Sequence, residues 1–97
     1  MVEFAGTMTR SRLHRILAEH GFDPNAYSLF GGHPPETYVL DDRGSEWVVY
    51  YSERGHEVGL ASFPTEDLAC RKLADRLWRD ATTRTRTARS ADSQAPD

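Results

Sequence analysis

Trp47-Val48-Val49-Tyr50-Tyr51, followed by Ser52-Glu53-Arg54-Gly55, is the stretch from which the fold is read. Five consecutive aromatic and β-branched residues bounded by turn formers make a strand rather than a helix. Both faces of this strand are apolar, which places it inside a sheet with a neighbour on each side. Upstream, Thr37-Tyr38-Val39-Leu40-Asp41 runs into Asp42-Arg43-Gly44, and downstream Glu53-Arg54-Gly55 runs into His56 to Phe63. Each connection carries acid-Arg-Gly, with glycine available for a positive φ. The three strands therefore form an antiparallel meander.

Loop length sets the register, and register sets which side chains are buried. A four-residue loop over 52–55 pairs Tyr51 with His56, Val49 with Val58 and Trp47 with Leu60. A three-residue loop puts Val48 and Tyr50 opposite Leu60 and Val58 instead. The first is preferred, because it gathers Trp47, Val49, Val58 and Leu60 with Tyr38 and Leu40 on one face. Val39, Val48, Tyr50 and Ala61 then occupy the other face, rimmed by Asp41, Glu46 and Glu57.

Two helices flank the meander. Thr9 is an N-cap, and Leu13, Ile16, Leu17 and His20 recur at helical spacing before Gly21 ends the helix. Thr65 caps the second helix, with Glu66 and Asp67 on the positive end of its dipole. Its apolar stripe is Ala69, Cys70, Leu73, Ala74, Leu77 and Trp78; Asp67–Arg71 and Asp75–Arg79 are i, i+4 pairs on the solvent side. The predicted class is α+β, in the order α-β-β-β-α, with both helices on one face of the three-stranded sheet. Between the first helix and first strand, Asp23-Pro24-Asn25 turns the chain, Tyr27 to Phe30 is a short extended piece, and Gly31-Gly32-His33-Pro34-Pro35 is a connecting loop. Residues 1–80 make one domain. Residues 81–97, rich in Thr, Ser, Arg and Ala, are expected to be a disordered tail.

At 97 residues and 38% hydrophobic content, the chain has enough apolar surface for one core. One cysteine excludes a disulfide framework, and no apolar run approaches the roughly 18 residues a membrane span needs. With no signal peptide at Met1 to Gly6, a cytoplasmic protein is expected. The formal charge of −3 is unevenly spread: residues 22–67 carry nine acids against Arg43 and Arg54. Such a field favours a basic partner and opposes phosphate backbones.

Little points to catalysis. Cys70 lies in a helix stripe with no flanking His and reads as a small buried hydrophobe. His14 and His20 are six apart and do not share a helix face, so no metal site is expected. The double glycine at 31–32 precedes two prolines and a strand rather than a helix, which argues against a phosphate loop. No enzyme, metal or cofactor is expected, and no membrane partner.

Tyr27-Ser28-Leu29, Tyr38-Val39-Leu40, the Trp47-to-Gly55 block, Phe63 and Glu66-Asp67-Leu68-Ala69-Cys70 resemble a set of small actinobacterial proteins. Those are similar to immunity proteins encoded beside polymorphic toxins, each neutralising its cognate toxin. The likeness spans about 13–80. It implies a protein-binding module that occludes the active site of a basic toxin domain. The rival from the element order is a double-stranded-RNA-binding domain, but these start the second helix with lysines where this chain has Thr65-Glu66-Asp67. With an exposed outer sheet face, the expected partner-binding residues are Val48 and Tyr50 at its centre, ringed by Asp41, Glu46, Glu57, Glu53 and Arg54. The competing arrangement has the 22–35 loop, with Leu29 and Phe30, folded over that face.

Overall fold

A computed structural model describes residues 5–84. Helix α1 (Arg10–Glu19) starts where the Thr9 side chain accepts from the Arg12 amide. It buries Leu13 and Leu17 and closes in a Schellman motif, with Gly21 N bonded to Ala18 O and Phe22 N to Leu17 O. A 3-10 turn over Pro24–Ala26 leads into strand β1 (Tyr27–Ser28), which is followed by β2 (Thr37–Asp42), β3 (Trp47–Glu53) and β4 (His56–Phe63). Helix α2 (Glu66–Arg79) begins at its Thr65 cap, and a last 3-10 turn covers Ala81–Thr83.

The α+β class holds, but the sheet has four strands in the order β1-β2-β3-β4 and is mixed. The extended piece at Tyr27 pairs parallel with β2, Tyr27 opposite Tyr38 and Ser28 opposite Val39. The expected three-stranded antiparallel meander is thus only part of the sheet. Its missing strand is two residues long and pairs across an eight-residue connection, too little for sequence periodicity to register.

The second hairpin also differs. Arg54 and Gly55 alone form the turn, with φ of 54° and 80°. Positive φ at both central positions is a type I′ geometry, whose twist matches that of the flanking strands. The strands therefore continue to Glu53 and His56, and Tyr51 faces Val58 rather than His56. Beyond this point a bulge intervenes: Tyr51 pairs Val58 but Val49 pairs Ala61, so Gly59 and Leu60 together oppose Tyr50. Trp47 accordingly faces Phe63, not Leu60. The extra residue flips the alternation of β4, turning Ala61 toward the helices beside Val49 and leaving Leu60 45% exposed.

On β2 and β3 the two faces fall as the alternation predicts. Leu40 and Val49 join Leu13, Leu17, Leu73 and Leu77 in the core between sheet and helices, with Tyr38, Trp47 and Trp78 packed at its margin. Val39, Val48 and Tyr50 form a separate cluster on the other face. Cys70 is fully buried in α2, and the burial pushes its thiol up to about 12. Asp67–Arg71 pairs at 3.0 Å, as expected. Asp75 pairs Arg79 at 3.3 Å, yet it is only 7% exposed and does not sit on an open solvent face.

The domain extends past residue 80. Thr83 is buried, its hydroxyl donates to Leu77 O at 2.9 Å, and its carbonyl accepts from the Asp23 amide at 2.8 Å. Arg84 bridges Phe22 and lays its guanidinium 4.3 Å from that ring's centroid. Residues 81–84, expected in the tail, are therefore folded onto the end of α1. The rest of the expected tail, 85–97, lies outside the described residues.

An acidic, tyrosine-walled cleft as the candidate protein-binding site

The outer sheet face does not present its apolar centre to solvent. Val39, Val48 and Tyr50 are each at most 1% exposed. Tyr50 donates its phenol to Gly32 O at 2.7 Å, the His33 ring lies 6.0 Å from its ring, and the Arg43 guanidinium sits 5.4 Å above it. The loop after β1 folds over the face, as the competing arrangement had it, but the covering residues are Gly31 to His33 and Arg43. Leu29 turns into the main core instead, and Phe30 is 78% exposed. Val48 and Tyr50 are thus closed off from a partner.

The charged residues expected around them fall into three places. Arg43 joins Asp41 and Glu57, with Nε 3.0 Å from Asp41 Oδ2 and Nη2 2.6 Å from Glu57 Oε2, and His33 Nε2 adds a contact to Glu57 at 2.9 Å. Arg43 and then His33 hold the Glu57 carboxyl below its usual range. These two acids are neutralised within the domain and offer little attraction to a partner. Glu46 is exposed on the β2–β3 turn. Glu53 and Arg54 are at the opposite end of β3, about 20 Å away at the rise of an extended chain.

A different set of acids converges on the helix side of the sheet. Tyr38 and Tyr51 are cross-strand partners on β2 and β3, their ring centroids 4.8 Å apart and tilted by 59°. Asp80, at the end of α2, accepts from the Tyr38 hydroxyl at 2.9 Å and from the Thr82 amide and hydroxyl. These donors hold its carboxyl below the ordinary aspartate range. Burial, then the bond to Asp80, pushes the Tyr38 phenol up to about 12. Burial, then the charges of Glu36, Glu53 and Asp80, raises Tyr51 as well.

Asp23 and Glu36 complete the rim of this cleft, whose volume is about 260 Å³. Asp23 caps the first 3-10 turn through the Asn25 amide, and Glu36 holds a φ of 48°, uncommon for a side-chain-bearing residue. Among the described residues no Arg, Lys or His lines the cleft. On the far side of the tyrosines Arg76 donates to Gly59 O at 2.8 Å and Arg79 pairs Asp75, while Arg84, next to Thr83 of the lining, lays its guanidinium over Phe22 and Trp78. Three carboxylates beside two aromatic rings make a receptor for a guanidinium or ammonium group, through charge-assisted hydrogen bonds and ring-face attraction.

This site draws on residues 23, 36, 38, 51 and 80, and sequence spacing brings none but Tyr38 and Tyr51 together. Their pairing across the β2–β3 turn was the available signal. Among the described residues no group of three His, Cys, Asp or Glu is arranged to hold a metal ion, and no helix is long and apolar enough to cross a membrane. Comparison with protein-family models, curated proteins and solved structures finds no match.

Proposed function

We infer that this chain is a protein-binding module of the immunity type, acting in the cytoplasm by occluding the active site of a cognate, basic toxin domain. The observation that carries this reading is the cleft: Asp23, Glu36 and Asp80 around Tyr38 and Tyr51, with no cation in the lining among the described residues. A basic side chain entering it meets opposite charge on the rim and aromatic faces on the wall, the residue types that dominate interface energies. Occlusion asks no catalytic group of the chain itself. The RNA-binding alternative finds the opposite charge where it needs cations: Glu66 accepts from the Arg10 amide, and Asp67 is held below its usual range by the Met8 amide and by Arg71.

The test is binding to the protein encoded beside this chain's gene. Glu36→Lys, at an exposed residue, should weaken the complex about tenfold or more, chiefly by slowing association. Tyr51→Ala should weaken it further by raising the dissociation rate. A complex indifferent to both changes refutes the cleft as the contact. Salt-sensitive binding of duplex RNA in place of any protein complex would favour the alternative.

A further inference from the structure

A second cavity, of about 400 Å³, opens between α1 and the segment that carries β1. Pro24, Tyr27, Leu29 and Phe30 give it apolar and aromatic walls. Arg10, Ser11 and His14 supply the polar side; positions three and four apart share one face of a helix. Among the described residues no carboxylate lines this cavity.

Arg10 is held in place from several directions. Its guanidinium lies 4.6 Å from the Phe30 ring centroid and 5.1 Å from that of Trp47, and Nη1 donates to Leu29 O at 3.3 Å. Glu66, outside the lining, approaches Nε at 3.7 Å and offsets part of the charge. Phe30, 78% exposed, has this stack as its contact with the domain's charged surface. His14 Nδ1 lies 3.4 Å from the Tyr27 hydroxyl, which fixes the imidazole at the edge of the aromatic wall. The result is an apolar slot with the Arg10 guanidinium and the His14 imidazole on the helix side, where a few convergent polar groups orient a mostly apolar ligand.

We propose that this cavity binds a small aromatic carboxylate, its ring against Phe30, Tyr27 and Leu29 and its carboxylate toward Arg10 and His14. The site is independent of the acidic cleft, whose chemistry selects the opposite charge.

The test is an NMR titration of the full chain with phenylacetate, and with phenylacetamide as its uncharged counterpart. Phenylacetate should give saturable shifts at millimolar concentration, confined to 10–14 and 24–30. The amide should bind about tenfold more weakly, because it loses the charge-assisted bonds. Ser11→Glu, at an exposed helix position, should weaken phenylacetate about tenfold while the domain stays folded, and Ser11→Gln, similar in size but uncharged, should weaken it far less. The proposal is overturned by an absence of saturable shifts, by shifts centred elsewhere, by equal affinity for the amide, or by Ser11→Glu and Ser11→Gln behaving alike.

Discussion

Gly31→Ala tests the loop that closes the outer sheet face. Gly31 is buried with φ at 76°, and a Cβ placed there would lie 2.5 Å from Asp41 Oδ1 and 2.8 Å from Asp41 Cγ. The backbone has little room to retreat, since its N–H donates to Leu40 O at 3.0 Å and its carbonyl accepts from Ser28 Oγ at 2.9 Å. Holding alanine in the left-handed region costs about 1–2 kcal/mol. Asp41 must also swing away from Arg43, whose Nε it accepts from at 3.0 Å; both side chains are partly solvated, so that loss adds at most about 1 kcal/mol. The total of about 1–3 kcal/mol corresponds to a fall in Tm of about 5–20 °C for a domain this size. Gly44→Ala is the control: φ is 86°, but a Cβ there meets nothing within 4 Å, so only the conformational part applies. In an Asp41→Ala background the obstructing carboxylate is gone, and Gly31→Ala should cost about 1 kcal/mol less. Thermal melts of these variants decide the matter. If Gly31→Ala melts no lower than Gly44→Ala, or if Asp41→Ala does not reduce its effect, the close approach of loop and sheet is wrong.

Trp47→Ala should cost about 2–4 kcal/mol in a urea melt, less than full aromatic burial would give, because the ring is half-buried at the core margin. Tyr38→Phe should cost about 1 kcal/mol near neutral pH by removing the donor to Asp80. Because the folded Asp80 carboxyl is depressed, its contribution is present above the unfolded aspartate range and is lost as pH falls through the folded value, so the Tyr38→Phe deficit should shrink in acid. The Tyr38 phenol is raised to about 12, so the parent alone should lose this part of its stability as pH climbs from about 10 toward that value. A chain ending after Asp80 should melt about 10 °C below one ending after Arg84, since it lacks the Thr83 bonds to Leu77 O and to the Asp23 amide.

Much of this arrangement was legible in the residues. Alternation placed Leu40 and Val49 toward the helices and Val39 and Tyr50 away from them, because a two-residue period on one strand needs no knowledge of its partner. Helix starts at Thr9 and Thr65 were equally local, each hydroxyl capping an amide three residues on. What depended on backbone detail was not legible. Arg54 takes a conformation that sequence assigns to glycine, and the bulge at Gly59 and Leu60 inverts β4 halfway along. The loop over Tyr50 was expected to cover it, if at all, through Leu29 and Phe30, because Gly32 contributes a carbonyl and His33 and Arg43 contribute polar groups that no hydrophobic pattern marks. The cleft was not legible because residue 80 stood only as the end of the domain, whereas the partner of Asp80 is 42 positions away.

The bulge on β4 has a bearing on how this protein behaves in crowded solution. β4 is the long outer strand of the sheet, and Val58 and Leu60 on it are nearly half exposed, a combination that invites a neighbouring chain to add itself by backbone pairing. Gly59 and Leu60 interrupt the strand at its middle, and Arg76 occupies the Gly59 carbonyl. Only residues 56–58 and 61–63 keep regular pairing, runs shorter than the roughly six-residue segments that stack into fibrils. The kink that misaligns β4 with its sequence pattern thereby also breaks up the template on which aggregates would grow.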